Sequence, residues 1–340
     1  MIAPELKSPF PYFGGKSRAA HLIWERFGKV VNYVEPFFGS GAVLLQRPQP
    51  FDGTETVNDK DGMIANFFRA LQSNPDHLAI YADNPVNEND LHARHIYLVN
   101  HREELTARLE GDPEYYDVKL AGWWVWGIAC WIGGGWCSGK GPWQSIEDDQ
   151  GNRQLVHLSN AGQGVKRQLV HLGNAGQGVK RKRVHLGNAG RGVNRKRAEL
   201  IHYFNQLAFR LNDVRVCCGD WKRITGPSVT FKHELTAILL DPPYSNDERA
   251  EGLYAEDCGS VAAEAREWAI ANGKNPLLRI ALCGYETEHQ MPADWESIKW
   301  HAPGGYDRLS HDVETIGKNR TKERIWFSPN CLKAEQSSLF

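Results

Sequence analysis

Between Arg153 and Arg197 the chain has no aspartate or glutamate, although acidic and basic residues balance over the whole chain, 41 against 40. That stretch holds eleven Lys or Arg, so the rest of the chain carries about −12 of a formal total of −1. A near-neutral total taken alone argues against a polyanionic partner, but a partner meets the local field and not the average. Cysteine is sparse and odd in number: seven residues, none in a C-x-x-C pair. This excludes a zinc ribbon and a disulfide framework and matches a reducing cytoplasm. Long apolar runs are missing too. Ala121–Gly135, the greasiest stretch, is too short and too glycine-rich to span a bilayer, so no membrane partner is expected. Met1–Phe10 holds Glu5, Lys7 and two prolines instead of an apolar run, so no secretion leader is expected. With 41% hydrophobic and 24% charged residues, a disordered or fibrous chain is excluded. A length of 340 residues suffices for one large core with an inserted subdomain.

What is present reads as strands alternating with helices. Val31–Phe37 is a β-branched and aromatic run leading to Gly39-Ser-Gly41 and an apolar helical start at Ala42–Leu45. Glu55–Val57 is a second strand, closed by Asn58-Asp59. Met63–Leu71 places Ile64, Phe67, Phe68 and Leu71 on one helical face. Thr236–Leu240 is a fully buried strand ending at Asp241-Pro-Pro-Tyr244. A helix over Val261–Asn272, stopped by Gly273, precedes a strand over Leu277–Cys283. Ile298–His301 and Glu323–Phe327 read as an antiparallel edge pair. This order predicts an α/β fold, a doubly wound sheet with ligands at the strands' carboxyl ends. Between the halves, Trp123, Trp124, Trp126, Trp131, Trp136 and Trp143 surround Gly133-Gly-Gly135 and read chiefly as core packing of a small subdomain. A 14-residue repeat follows, with copies from Arg153 to Lys166, Arg167 to Lys180 and Arg181 to Asn194, keeping His157, His171 and His185 in register. That histidine separation matches no metal-ligand spacing, and no metal site is expected.

Asp241-Pro-Pro-Tyr244 is the most informative tetrapeptide. Methylating an exocyclic amine requires an acceptor for its hydrogens and no strong base, because the nitrogen lone pair is delocalised into the ring. A carboxylate and a backbone carbonyl at a proline-stiffened turn supply that acceptor, and an adjacent aromatic can hold a base that has left its stack. The bland reading is a tight turn with a surface Asp and Tyr. Gly39-Ser-Gly41 lets backbone approach a ligand closely, with phosphate binding as the rival reading. The dinucleotide fingerprint fails, because Leu44 stands where a third small residue belongs. Gly14-Gly-Lys-Ser17 resembles the end of a P-loop, but Phe10 replaces its first glycine. Asp59 is placed either to bind ribose hydroxyls or to cap a helix.

Taken together, the chain resembles a DNA adenine N6-methyltransferase of the Dam type, the D12 class, in a phage-like variant. The pieces that carry the resemblance are Tyr12-Phe-Gly-Gly-Lys16, Val34-Glu-Pro-Phe-Phe-Gly-Ser-Gly41, Asn58-Asp59, Cys218-Gly-Asp220 and Asp241-Pro-Pro-Tyr244, in that family's order. The resemblance implies a Rossmann-like methyltransferase sheet with an inserted target-recognition subdomain. It implies S-adenosylmethionine held by Tyr12, Gly14, Gly15, Lys16, Glu35, Pro36, Phe37, Gly39, Ser40, Gly41, Asp59 and Asp220. It further implies that Asp241 and the Pro242 carbonyl receive the adenine amine while Tyr244 stacks on the flipped ring. N4-cytosine methyltransferases share this chemistry but more often carry Ser at the position of Asp241, so adenine is favoured. A non-catalytic DNA-binding protein that has kept the fold is the rival of another class, and RNA remains a conceivable substrate.

The expected organisation is a cofactor-binding half (1–75), a target-recognition subdomain (76–205), a catalytic half (206–330) and a flexible tail (331–340). Double-stranded DNA is the expected partner, inside a bacterial or phage-infected cell, with restriction-modification as a natural setting. Arg153, Lys166, Arg167, Lys180, Arg181, Lys182, Arg183, Arg191 and Arg195 are expected to meet its phosphates, with Asn, Gln and His of the repeat near base edges. The alternative for the repeat is a solvated insertion with no readout role. Gln336-Ser-Ser-Leu-Phe340 resembles a sliding-clamp-binding peptide, with Gln336, Leu339 and Phe340 as anchors, although Ser337 departs from its preferred Leu.

Overall fold

A computed structural model describes residues 6–12, 15–131, 136–137, 145–147, 153–155, 193–243, 258–300 and 323–333. In chain order they form α1 (Ala20–Phe27), β1 (Asn32–Glu35), α2 (Ala42–Leu45), β2 (Thr54–Asp59), α3 (Gly62–Ser73) and α4 (Pro75–Ala82). Then come α5 (Glu88–Gly111), α6 (Val118–Cys130), β3 (Ser145–Glu147), β4 (Arg153–Leu155), α7 (Val193–Leu211) and β5 (Val214–Cys218). The chain continues through β6 (Thr236–Leu240), α8 (Cys258–Asn272), β7 (Leu278–Tyr285), β8 (Glu296–Lys299) and β9 (Glu323–Phe327).

Seven of these strands make one sheet in the order β5-β2-β1-β6-β7-β9-β8. β5, β2, β1, β6 and β7 run parallel, whereas β9 lies antiparallel to both β7 and β8. β1 leads outward to β2 and β5, and the chain then returns to the other side of β1 for β6 and β7. The order reverses between β1 and β6, so the crevice opens at the carboxyl ends of those two strands. Glu35 closes β1 there, and Asp241 follows β6 directly.

Both faces of the sheet are covered, and the strand sequences show why. Along β1 and β6, Tyr33, Ala237 and Leu239 enter one apolar layer, and Val34, Ile238 and Leu240 enter the other. Alternate residues must point to opposite faces, so a strand apolar at every position is a strand buried on both. The first layer gathers Phe10, Phe67, Phe68, Trp124 and Phe204 from the N-terminal segment, α3, α6 and α7. The second packs Ala265 and Ala269 of α8 against Ile280 and Leu282 of β7.

Several expectations change in detail. β5 was not anticipated, whereas the expected antiparallel pair does close one edge of the sheet, with β8 outermost and β9 between it and β7. Trp124, Trp126 and Trp131 are buried, as core packing requires, whereas Trp143 lies outside the described residues. The expected boundaries at 75 and 205 do not coincide with breaks in packing. Leu78, Trp124 and Phe204 share one apolar cluster with Phe67, and α7 runs straight through 205. Within 331–340, Cys331 is buried and the Leu332 N–H donates to the Arg26 carbonyl at 2.8 Å.

Candidate active site

Four strands of the parallel set, β1, β2, β5 and β6, deliver a polar residue to the same edge. At β1, Glu35 is buried and accepts a 2.8 Å hydrogen bond from the Tyr33 hydroxyl. Burial raises its pKa well above the ordinary carboxyl value, partly offset by the Tyr33 bond and reinforced by Asp241 and Glu55. Beyond it, Pro36 is buried, Phe37 lies against Trp221 with ring centroids 5.7 Å apart, and Phe38 turns into the core against Phe68. Gly39 and Gly41 both take positive φ, 52° and 70°, a conformation that a side chain resists. The Tyr12 ring covers Gly39 so closely that an added Cβ would lie 2.7 Å from it, and Ser40 is buried beside Gly15.

At the end of β2, Asn58 and Asp59 staple three loops together. Asn58 Nδ2 donates to the Pro36 carbonyl (3.1 Å) and the Gly219 carbonyl (3.0 Å), joining the ends of β1 and β5. Asp59 accepts from the backbone N–H of Gly39 and of Asp61, each at 2.9 Å. Helix capping, the bland reading for Asp59, falls instead to Asp61, which accepts from the Met63 N–H at the start of α3. Asp61 also pairs with Arg102 of α5 at 2.8 Å. At the end of β5, Asp220 is exposed and caps a short 3-10 turn, accepting from the Lys222 N–H at 2.8 Å. Asp61, Tyr33 and Arg102 are the structural partners that motif reasoning passed over, whereas Asn58 stood in the Asn58-Asp59 piece with no role assigned. Asn58 alone carried a signal, as the polar neighbour of Asp59 at a strand end.

Three carboxyls, Glu35, Asp59 and Asp220, thus ring the ends of β1, β2 and β5. Such a set fits a ligand that brings hydroxyl and amine donors and positive charge, and it repels a phosphate. The buried Asn58 Oδ1, with no hydrogen-bond partner among the described residues, adds an acceptor of the same kind. The residues present therefore fit S-adenosylmethionine better than a nucleotide phosphate.

Asp241 stands at the switch point. Its Oδ1 lies 2.9 Å from Lys16 Nζ; Lys16 is 3% exposed and Asp241 20%. Burial alone would pull the Lys16 pKa down, but Asp241 first, then Cys283 and Glu323, outweigh it and raise the value. Lys16, which the resemblance assigns to the cofactor, stands beside Asp241. Pro242 is buried behind Asp241. Gly14 and Tyr244 lie outside the described residues, as do Lys166, Arg167, Lys180, Arg181, Lys182, Arg183, Arg191, Gln336, Leu339 and Phe340. Arg153 falls in β4, which pairs antiparallel with β3, and Arg195 falls in the first turn of α7.

Counted within the main sheet, the strand order is 3-2-1-4-5-7-6 with the seventh strand reversed, a Rossmann-type half extended by an antiparallel strand. With acidic strand ends and Asp-Pro-Pro at the switch point, this is an α/β methyltransferase. Residues 12–118 match the family model of the D12 class N6 adenine-specific DNA methyltransferase. The resemblance read from the motifs is borne out over that segment, which holds β1, β2 and the loops that flank them. The reaction follows from it: this is an enzyme that methylates DNA at N6 of adenine. No curated protein matches the chain.

Proposed function

We propose that the methyl donor is S-adenosylmethionine, bound across the ends of β1, β2 and β5, and that the acceptor is an adenine flipped from double-stranded DNA onto Asp241. The placement of Asp241 at the switch point, beside the acidic strand ends, is the observation that carries this reading. Tyr12, Gly15 and the Glu35–Gly41 loop line the cofactor side, and Asp59 and Asp220 offer acceptors to its hydroxyl and amine groups. When bound, S-adenosylmethionine supplies an electrophilic methyl group on a sulfonium. Asp241 and the Pro242 carbonyl accept the two N6 hydrogens and turn the nitrogen lone pair out of the ring toward that methyl. Bound there, the cofactor would give that methyl to N6 and leave as the neutral thioether. The surplus proton on N6 passes to the Asp241 carboxylate and then to water. Tyr244 stacks on the extruded ring.

The basic repeat adds phosphate contacts on the DNA side, and Gln336–Phe340 adds a clamp contact. No helix among the described residues is long and apolar enough to cross a membrane. The test is methyl transfer from labelled S-adenosylmethionine to unmethylated DNA, followed by nucleoside analysis. Label in N6-methyladenine is the expected result. Label in N4-methylcytosine, or in RNA alone, would overturn the reading.

A further inference from the structure

We infer that Arg102 and Asp61 are positioning residues for the cofactor site: their ion pair fixes the turn that Asp59 holds, and the balance of their opposite charges beside Asp59 governs how tightly the cofactor is bound. This rests on the reading of Asp59 as an acceptor for a cofactor hydroxyl. The pair bridges two helices, with Arg102 Nη2 of α5 lying 2.8 Å from Asp61 Oδ2 at the start of α3. Gly62 makes that approach possible. An added Cβ there would collide with the side chain of Thr106, which stands one turn after Arg102 on α5. The other guanidinium nitrogen, Nη1, donates to the Cys137 carbonyl. Cys137 is buried, and the adjacent Trp136 Nε1 donates to the Trp124 carbonyl at 3.0 Å. The guanidinium fork therefore has a partner on each side, one in the Trp-rich segment and one at the cofactor end of the sheet.

Asp61 reaches Asp59 through its own backbone as well as through space. Its N–H donates to Asp59 Oδ1 at 2.9 Å, while its carboxylate accepts from the Met63 N–H at 2.9 Å. Burial is the main cause that raises the Asp59 pKa; Asp61 raises it further, and Arg102 lowers it alongside the two backbone bonds. Cys218 faces Asp59 from β5, with Glu110 of α5 and Arg69 of α3 near it. Burial first, then Glu110 and Asp59, push that thiol up to about 12, so it stays neutral. Lys60 and Asp220 are exposed. An ionised Asp59 accepts from a hydroxyl with both oxygens, and a protonated one loses part of that capacity. Loss of the Arg102 charge must therefore confine tight binding to higher pH. Loss of the Asp61 charge must extend it to lower pH.

The test measures S-adenosylmethionine affinity by calorimetry across pH on the full-length wild type, Arg102→Gln and Asp61→Asn. Both variants break the same ion pair, and asparagine keeps the helix cap. The pH midpoint of binding should rise by about half a unit or more in Arg102→Gln and fall by about half a unit or more in Asp61→Asn. A pair that served only as a clamp would weaken binding in both variants and leave both midpoints in place. Midpoints that stay put, or that move in the same direction, would overturn the inference. Should Arg102→Gln fail to fold, Asp61→Asn decides: a lower midpoint supports the inference, and an unmoved or higher one overturns it. A flat wild-type profile, or one that Asp59→Asn leaves unchanged, would instead remove the reading of Asp59 itself, and this inference with it.

Discussion

The backbone N–H of Gly39 donates to Asp59 Oδ2 at 2.9 Å, which ties the loop after β1 to the end of β2. The same carboxyl holds the Asp61 N–H on its other oxygen, so one side chain fixes both the loop after β1 and the turn into α3. Burial, with the charge of Asp61, pushes the Asp59 pKa up to about 7, against the two backbone bonds and Arg102, which pull it down. In the free protein Asp59 is therefore protonated below about 7 and ionised above.

A pH dependence of cofactor binding follows. Ribose hydroxyls donate best to the ionised carboxylate, so binding releases a proton at low pH and tightens as pH rises. Calorimetry should show the S-adenosylmethionine dissociation constant weakening about tenfold from about pH 8 to about pH 6, with Asp59→Asn flattening the profile. A wild-type constant that stays flat would separate Asp59 from the cofactor.

Gly39→Ala meets two penalties at once. Its φ of 52° is left-handed, and the new Cβ would lie 2.7 Å from the Tyr12 ring. The backbone alone costs about 1–2 kcal/mol, and the ring must also move. Lower thermal stability together with weaker cofactor binding is expected. An unchanged affinity would mean that Tyr12 does not line the cofactor side.

Phe204 tests whether α7 belongs to the core. It is fully buried with its ring 6.0 Å from that of Phe67, whereas Phe209 on the same helix is 87% exposed. Phe204→Ala should cost about 3–5 kcal/mol in urea unfolding, and Phe209→Ala less than about 0.5 kcal/mol. Equal effects would contradict the packing of α7 on α3.

Deletion of Arg153–Asn194 removes eight Lys or Arg and no acidic residue. If the repeat meets phosphate, DNA affinity falls and the salt slope shrinks by about 0.9 for each phosphate that the shortened protein leaves unneutralised, while cofactor binding holds. An unchanged slope would make the repeat a solvated insertion.

The parts of the fold that were legible in the sequence are those where one physical demand dominates. Thr236–Leu240 is apolar at nearly every position because both its faces are buried, and Ile64, Phe67, Phe68 and Leu71 share a face because the α3 helix packs on one side. β5 escaped notice because it is the sheet's outer strand and exposes Arg215, which weakens the apolar run. Phe10 read only as the residue that breaks a P-loop, yet its ring packs on Phe67, Phe68 and Trp124. The motifs located Lys16 and Asp241 separately, but their pairing depends on which strands flank the switch point. Strand order of that kind is a property of tertiary packing and has no local signature.

The most direct measurement is the single-turnover methylation rate of Asp241→Ala beside the wild type, with S-adenosylmethionine affinity measured on both. Loss of N6-methyladenine by a factor on the order of 1,000, with cofactor affinity kept within about threefold, is the expected result. A variant that still methylates adenine at the wild-type rate would contradict the assignment of the amine to Asp241.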